Sequence, residues 1–547
     1  MNFLKDDYHR SILGWFLLSA IVAWGMPITA DEALYYVYGK NLAWGFHDHP
    51  PMVAVFTALG NIASSTLLVR LPGILALTIA FAIGDKIIKD RDQNRTLFHF
   101  GWWMIPILHV YGIVTTPDVA LLFFTMLLWW CIHRWMKTDR LPMLFIIVLA
   151  GLMYSKYHAA IVIALALFPM RRFWKVKPLV ASFVAFLLFL PHLFWQYNND
   201  WDTFRYHFVD RKGDFEWQHL GGFIAAQIGL FHPYLWFLAF KMKLHKKQGD
   251  EWFRLHQRVF FGLVVFFTIM VIRGRAEAHW AAAGSFSLLF LLSTIQVESA
   301  VSTLRKVSVV TIVILLIGRI PLIVDSPLDL NFFKERRYMA AVEELAGDAP
   351  VAFMNSYAKP SAYMFYTGKS SHTINNIFGG LSQYQVWHYD TALVDNEFLW
   401  ISNFEGSNAF SAVQTGEFEL QTAWMSDYQT LEKLWFEFES EKMQLQPGSN
   451  NITVELVNKS VRSIDLNKVE NISIRMCVNH KKPRQMILPV RCDDLPDLLD
   501  PGASFPVSIN VDLPEGATGE HWFKMSIKTG NVPGYINSNR CFITVTD

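Results

Sequence analysis

Charge is what this chain is short of. Only 17% of its 547 residues are Asp, Glu, Lys or Arg, where an ordinary soluble domain carries about a quarter. The deficit is uneven, since residues 1–325 hold most of the apolar runs and the remainder has ordinary composition. The charges nearly cancel, at +1, which removes the electrostatic argument for a nucleic-acid partner. Cysteine is also scarce. Cys131 falls in an expected membrane helix and Cys477, Cys492 and Cys541 fall near the C-terminus, too few for a disulfide framework. If that region is exported, one bridge can form and one thiol is left over, with the pairing open. There is no internal repeat and no low-complexity tract, which excludes solenoid architectures. The first apolar run, 12–28, lacks a small-residue cleavage site and is expected to stay as an anchor. Asn451-Ile-Thr, Asn458-Lys-Ser and Asn471-Ile-Ser match the N-glycosylation pattern, which matters only in a secretory pathway.

What the chain has instead is 52% hydrophobic and 15% aromatic residues. A membrane-crossing helix needs about 20 predominantly apolar residues. Windows near 11–29, 66–84, 98–114, 117–133, 142–154, 158–170, 178–196, 220–240, 259–272, 281–295 and 307–324 qualify, giving eleven expected spans. The stretch 142–170 is divided in two because Lys156 and His158 are costly at a bilayer centre. The run 51–65 is assigned to the first external loop. Loops on one side of these spans carry 21 Lys and Arg residues, and loops on the other carry 7. The richer side is cytoplasmic by the positive-inside rule, so the N-terminus is expected inside and everything after about residue 325 outside. Residues with chemical potential collect in the outer loops 30–65, 112–118, 154–158, 197–219 and 273–280.

Beyond Pro321 the pattern changes. Helices are expected over 335–345 and 359–366 and strands over 351–354 and 398–403, a small external α/β domain spanning 326–440. Short alternating strands at 452–456, 472–478, 505–511, 522–527 and 540–546 follow, separated by turns such as Pro501-Gly502. They predict an external β-sandwich of immunoglobulin type over 441–547. The fold class expected overall is an α-helical multi-pass membrane protein, residues 1–325, followed by these two external domains.

The stretch 31–51, DEALYYVYGKNLAWGFHDHPP, stands out. It follows the first span directly and carries Asp31, Glu32, Tyr35, the cluster His47, Asp48 and His49, and a Pro50-Pro51 stop. Ionisable groups this dense at the mouth of a transmembrane bundle are a site hypothesis by default. The stretch resembles the polyprenyl-phosphate-sugar glycosyltransferases of the GT-C class, with the closest likeness to the bacterial branch of aminoarabinose transferases and protein mannosyltransferase-like enzymes. That family has one transmembrane helix, an Asp-Glu motif, a tyrosine a few residues on, and a G-(Y/F)-x-(D/K)-x-P-P turn. Here these are Asp31, Glu32, Tyr35 and the run GFHDHPP at 45–51. The resemblance covers about residues 1–370.

The resemblance implies transfer of a sugar from a polyprenyl-phosphate donor to a nucleophile on a glycolipid, glycan or protein acceptor, at the outer face of a cell's inner membrane. Phosphate already leaves well, so such a site needs one carboxylate to take the acceptor proton and cations to hold the phosphate. Asp31 is the expected base, with Glu32 orienting it or binding sugar hydroxyls, and Asp118 matches an acidic residue of the family. Helix capping by Thr29 or Asp31 is the alternative at the first position, and Thr116-Pro117-Asp118 is also a good helix start. His49 stands where aminoarabinose transferases carry a phosphate-facing lysine, so its charge depends on pH. Lys156, Tyr157 and His158 match a further motif, with Lys156 expected on the lipid phosphate or snorkelling to the interface. Arg205, His207 and Arg211 lie in an aromatic-rich outer loop, and Glu277 and His279 in another family motif. Asp31, Glu32 and Asp118 are the catalytic candidates; these loop residues, with Tyr35, His47, Asp48 and His49, are the substrate-binding ones, although His47 and Asp48 could instead be a bound pair that shapes the turn. No cofactor is expected, and a divalent metal rests only on the thin His47-x-His49 spacing. A lipid-linked-sugar transporter and a non-catalytic envelope scaffold are the rival readings.

Overall fold

A computed structural model describes residues 7–546 except 208–214, 246–249, 275, 297, 326–330, 378, 403–409, 427, 441, 480–484, 493 and 531–533. It divides into two compact units, residues 1–334 and 335–547.

The first unit is helical. Its elements are α1 (Asp7–Gly25), α2 (Ala30–Lys40), α3 (Met52–Gly60), α4 (Thr66–Asp90), α5 (Arg95–Met104), α6 (Pro106–Tyr111), α7 (Pro117–Thr138), α8 (Leu144–Ser155) and α9 (Ala159–Leu167). There follow α10 (Val176–Asn198), α11 (Asp202–Arg205), α12 (Trp217–Phe231), α13 (Pro233–His245), α14 (Glu251–Ile272), α15 (Gly284–Leu292), α16 (Glu298–Ile317) and α17 (Ile320–Ile323). Among the described residues five helices are long and apolar enough to cross a membrane: α4, α7, α10, α14 and the stretch 301–323. Two bent pairs, α1 with α2 at 93° and α12 with α13 at 92°, raise this to seven if each is one span.

The breaks have local causes. Pro106 lacks an amide hydrogen and cannot continue α5, so the expected span 98–114 is two short helices. The stretch 142–170 is interrupted at Lys156, which adopts an extended backbone between α8 and α9. The run 51–65, expected as loop, instead contains α3 (Met52–Gly60), because the Pro-Pro stop is followed by eight residues without Gly or Pro, 52–59, before Gly60 ends the helix. Helix α3 packs against α2 at Gly39, where a Cβ would stand 2.6 Å from Thr57 Oγ1. Thr57 Oγ1 in turn donates to the Tyr35 carbonyl at 2.7 Å. That close packing makes α2 and α3 a floor for the loop that joins them.

The second unit begins within a helix, α18 (Asn331–Ala346). A five-stranded sheet of order β2-β1-β3-β5-β4 follows, from β1 (Val351–Met354), β2 (Ser371–Ile374), β3 (Phe398–Ser402), β4 (Ser411–Thr415) and β5 (Phe418–Met425). Strand β1 is parallel to β2 and β3, with α19 (Ala358–Thr367) as the first crossover, and β5 is antiparallel to β3 and β4. Strands β4 and β5 were not expected; β4 buries none of its residues, while β5 alternates buried and more exposed positions from Phe418 to Ala423. Eight of the remaining strands form one array, in spatial order 434–437, 448–458, 504–513, 485–492, 473–479, 519–528, 541–545 and 442–445, and the short strands 464–465 and 498–499 pair antiparallel with each other. The array curls on itself, so Phe438, just after its first strand, lies 5.4 Å from Phe523 of its sixth. The four cysteines carry free thiols.

Candidate active site

Helix α2 starts where it does because Thr29 caps it. Thr29 Oγ1 accepts the Glu32 amide at 3.4 Å, while the Glu32 carboxylate accepts the Thr29 amide and hydroxyl at 3.2 and 3.0 Å. This reciprocal pair is a capping box. The same carboxylate is completely buried against Arg70. Arg70 Nε donates to Oε1 at 2.8 Å, Nη2 to Oε2 at 2.6 Å, and the Thr115 amide to Oε1 at 2.9 Å. The rest of the guanidinium donates to the carbonyls of Ala23, Met26 and Pro27. Glu32 therefore ties the end of α1, the bend, α4 and the turn before α7 into one node. Both of its oxygens are engaged, which leaves Asp31 as the exposed carboxylate of the pair.

The loop 41–51 is pinned residue by residue to the segment 192–207. Gly45 lies against Trp195 so closely that a Cβ there would overlap the indole, which explains the glycine opening GFHDHPP. The Trp44 carbonyl accepts His192 Nδ1–H at 2.7 Å, the Phe46 carbonyl accepts Thr203 Oγ1 at 2.8 Å, and the Asp48 carbonyl accepts His207 Nε2–H at 3.0 Å. His47 Nδ1 pairs with Asp202 Oδ2 at 2.8 Å. With its Nδ1 donating, His192 offers Nε2 to the Tyr157 hydroxyl at 2.8 Å. From below, Tyr38 stacks on Phe46 at 4.0 Å and donates to Asp48 Oδ1 at 2.7 Å.

This clamping presents His49 over Tyr35, ring centroids 5.9 Å apart, with its Nε2 3.6 Å from Asp48 Oδ2. Burial pushes the His49 imidazole below its ordinary value. Lys156 adds to the shift, while Asp48, Asp118 and Asp31 oppose it. Burial alone would raise the Asp48 carboxyl, but His49, the Tyr38 hydrogen bond, His47 and His207 outweigh it and hold it low. Behind His49, Lys156 Nζ donates to both oxygens of Asp118 at 2.9 and 2.8 Å, with both side chains buried. His279 Nε2 lies 3.8 Å from the same carboxylate. Burial lowers the His279 imidazole too, with Asp118 opposing and Lys156 assisting. His158 packs on Trp280 at 4.5 Å and lies within electrostatic reach of Lys156, His207, His49 and His279.

The structure thus gathers Asp31, Tyr35, Asp48, His49, Asp118, Lys156, Tyr157, His158, His207 and His279 around one mouth. Glu277 is close enough to act on His279. Arg205 is half-buried on α11. Arg211 lies outside the described residues. His47 and His49 turn to different carboxylates, and among the described residues no group of three or more His, Cys, Asp or Glu side chains is placed to hold a metal ion. Sequence reasoning missed Arg70, Tyr38, His192 and Asp202. Arg70 carried a usable signal, a lone charge within an expected span. The others become meaningful only through partners eight or more residues away, such as Phe46 and Asp48 for Tyr38 and His47 for Asp202.

Comparison with known proteins places this geometry. Residues 48–195 match the family described as dolichyl-phosphate-mannose-protein mannosyltransferase. The fold is that of ArnT from Cupriavidus metallidurans. The apo structure superposes with a TM-score of 0.55 at 9% identity over 76% of this chain and 97% of that one. The structure of that protein bound to undecaprenyl phosphate gives 0.53 at 10% identity, with the same coverage. Among curated sequences, the lipid A galacturonosyltransferase RgtD of Rhizobium johnstonii is 26% identical over 290 residues, 48% of this chain. The match spans 60% of the length of that relative. Together these show the resemblance to GT-C polyprenyl-phosphate-sugar glycosyltransferases that the 31–51 stretch carries.

Proposed function

We propose that this chain is a membrane glycosyltransferase that moves a monosaccharide from a polyprenyl-phosphate to a glycolipid acceptor. One observation carries the reading. An exposed carboxylate, Asp31, stands beside a group of nitrogen donors, His49, His158, His207, His279 and Lys156, at the mouth of a helical membrane unit. The names of the relatives, a lipid A galacturonosyltransferase and a protein seen with undecaprenyl phosphate, support the substrate classes.

The chemistry follows from that arrangement. Asp31 takes the proton of the acceptor hydroxyl as its oxygen bonds to the anomeric carbon. The bond from that carbon to the phosphate oxygen breaks on the opposite face, inverting the centre, and the phosphate leaves with the electron pair. Its growing charge is met by imidazole N–H groups and by Lys156. Asp118 holds Lys156 in place, and Glu32 positions α2 and so Asp31. Tyr35, Asp48, Tyr157, Arg205 and Glu277 line or support the sugar and phosphate subsites, and Arg211 belongs to the same loop. The finer architecture goes with this proposal: eleven spans, divisions at 1–325, 326–440 and 441–547, an immunoglobulin-like sandwich at the end, residence in a cell's inner membrane, and an outward-facing site and C-terminal half.

Asp31→Asn tests it. Transfer from a radiolabelled polyprenyl-phosphate sugar to glycolipid should fall about 10²–10⁴-fold, the usual contribution of a general base, with expression and folding unchanged. Retention of more than about a tenth of the wild-type rate would overturn the assignment of Asp31 as base. A transporter or scaffold would show no transfer even in the wild type.

A further inference from the structure

Arg319 lies in the last apolar stretch of the membrane unit, 301–323, and is 5% exposed. Its Nη2 donates to His109 Nδ1 at 2.9 Å, and His109 Nε2 donates to the Trp103 carbonyl at 2.8 Å. An imidazole that accepts at Nδ1 and donates from Nε2 is neutral. His109 therefore satisfies one guanidinium nitrogen and cancels none of the charge. Arg319 Nε and Nη1 are buried without a hydrogen-bond partner, and among the described residues no carboxylate pairs with this side chain. The contrast is Arg70, equally buried, which has Glu32 and three carbonyls.

Two further donors, both on α1, are unsatisfied. The Trp15 indole N–H and the Ser19 hydroxyl are completely buried with no partner. The Trp15 ring centroid lies 5.6 Å from the Arg319 guanidinium carbon and 5.0 Å from the His109 ring. Ser19 is about one turn further along α1. Both approach Gly112, where a Cβ would stand 2.6 Å from Trp15 Cζ2 and 3.3 Å from Ser19 Oγ. The seam between α1 and α17 is tight, because Gly25 admits Ile323. On either side of it Leu17, Ile21, Val313, Ile314, Ile317 and Ile320 are exposed, the apolar surface that meets acyl chains.

A buried guanidinium over Trp15, with the unpartnered Trp15 N–H and the Ser19 hydroxyl both against Gly112 and no carboxylate pairing with the guanidinium among the described residues, calls for an oxyanion rather than a cation. We infer that Arg319, Trp15 and Ser19 form an oxyanion site for a phosphate group, separate from the histidine-lined mouth and independent of the transfer reaction. The phosphate is presented by a lipid headgroup or taken up as the free ion, and the two sources share this recognition chemistry.

The test uses the full-length protein, stripped of lipid in detergent. Native mass spectrometry counts bound lipid, and thermal unfolding is followed with added phosphatidylglycerol, inorganic phosphate, or a diacylglycerol of the same chain length that lacks phosphate. The wild type should gain stability with phosphatidylglycerol and not with diacylglycerol. A gain with inorganic phosphate as well identifies the phosphate itself as sufficient, and no such gain identifies a lipid headgroup. Arg319→Gln should weaken that binding at least about tenfold, the order expected when a charge-assisted donor is lost. Trp15→Phe keeps the ring, removes only the N–H and should weaken it several-fold. Equal response to diacylglycerol, or no response to either phosphate source, overturns the inference. If Arg319→Gln fails to fold, Trp15→Phe decides: unchanged affinity in that variant refutes the site.

Discussion

The Glu32–Arg70 node offers the sharpest test of how the site is built. Both side chains are completely buried, and Arg70 also holds the carbonyls of Ala23, Met26 and Pro27 at 3.0, 2.7 and 2.8 Å. Removing one partner of a buried pair leaves an uncompensated charge and costs about 3–5 kcal/mol. Arg70→Met and Glu32→Gln should each fall in that range. The double variant leaves no buried charge, so its loss should be smaller than the sum, with a coupling on the order of 1–3 kcal/mol. Unfolding in mixed micelles, followed on the membrane unit, reads these values. Transfer measured on the same samples separates position from chemistry. Asp31→Asn should lose rate at full stability, whereas Glu32→Gln should lose stability and drag the rate with it. Losses that add to within about 0.5 kcal/mol would refute the node. Glu32→Gln that is fully stable yet inactive would make Glu32 a reacting group instead.

Three further outcomes are expected. His49 and His279 are both held below the ordinary imidazole value of 6.5, so the unfolded chain takes up their protons first as pH falls. The stability they contribute should be complete above about pH 6.5 and decline as the pH drops toward the folded-state values; a stability flat from pH 7.5 to 5 contradicts this. Arg205→Ala, and Lys156→Met combined with Asp118→Asn to avoid stranding a carboxylate, should raise the donor KM and lower kcat together. A rise in the acceptor KM alone would move that residue to the acceptor site. A reporter active only in the cytoplasm, fused after Asp547, should stay silent under the proposed topology, in which the 21-to-7 bias of Lys and Arg and an odd number of spans put the C-terminus outside; activity there refutes that topology.

Much of the site was legible in the linear chain because the family-like motif is contiguous. Asp31, Tyr35, Asp48 and His49 lie within 19 residues, on a short helix and a loop closed by Pro50-Pro51. The interrupted span at Lys156 was also readable, since a lysine and a histidine in an apolar run carry a burial cost that composition alone exposes. Helix α3 was misread as loop because a short, mostly apolar run such as 52–60 is ambiguous between helix and other states by periodicity alone. Strand β4 buries none of its five residues and so carries no core signal, whereas the alternation of β5, with Phe418, Leu420 and Thr422 buried, was present in the sequence and was missed.

The sequence by itself determined the membrane character of residues 1–325, the sheet-rich character of the end and the residues with chemistry to offer, because composition and short-range spacing carry that information. What each charged residue does was decided only by the tertiary structure. Asp31 and Glu32 are adjacent carboxylates of the same helix turn. One is exposed, and the other is closed off by Arg70 from α4 and the Thr115 amide before α7. Lys156 reads as a free cation until Asp118, 38 residues away, is found holding it. Arg319, inside the expected span 307–324, has as its side-chain partner a neutral histidine 210 residues earlier, which nothing in the linear chain shows. Burial and pairing set the charge a group can express, and both are properties of neighbours that the chain brings together only when it folds.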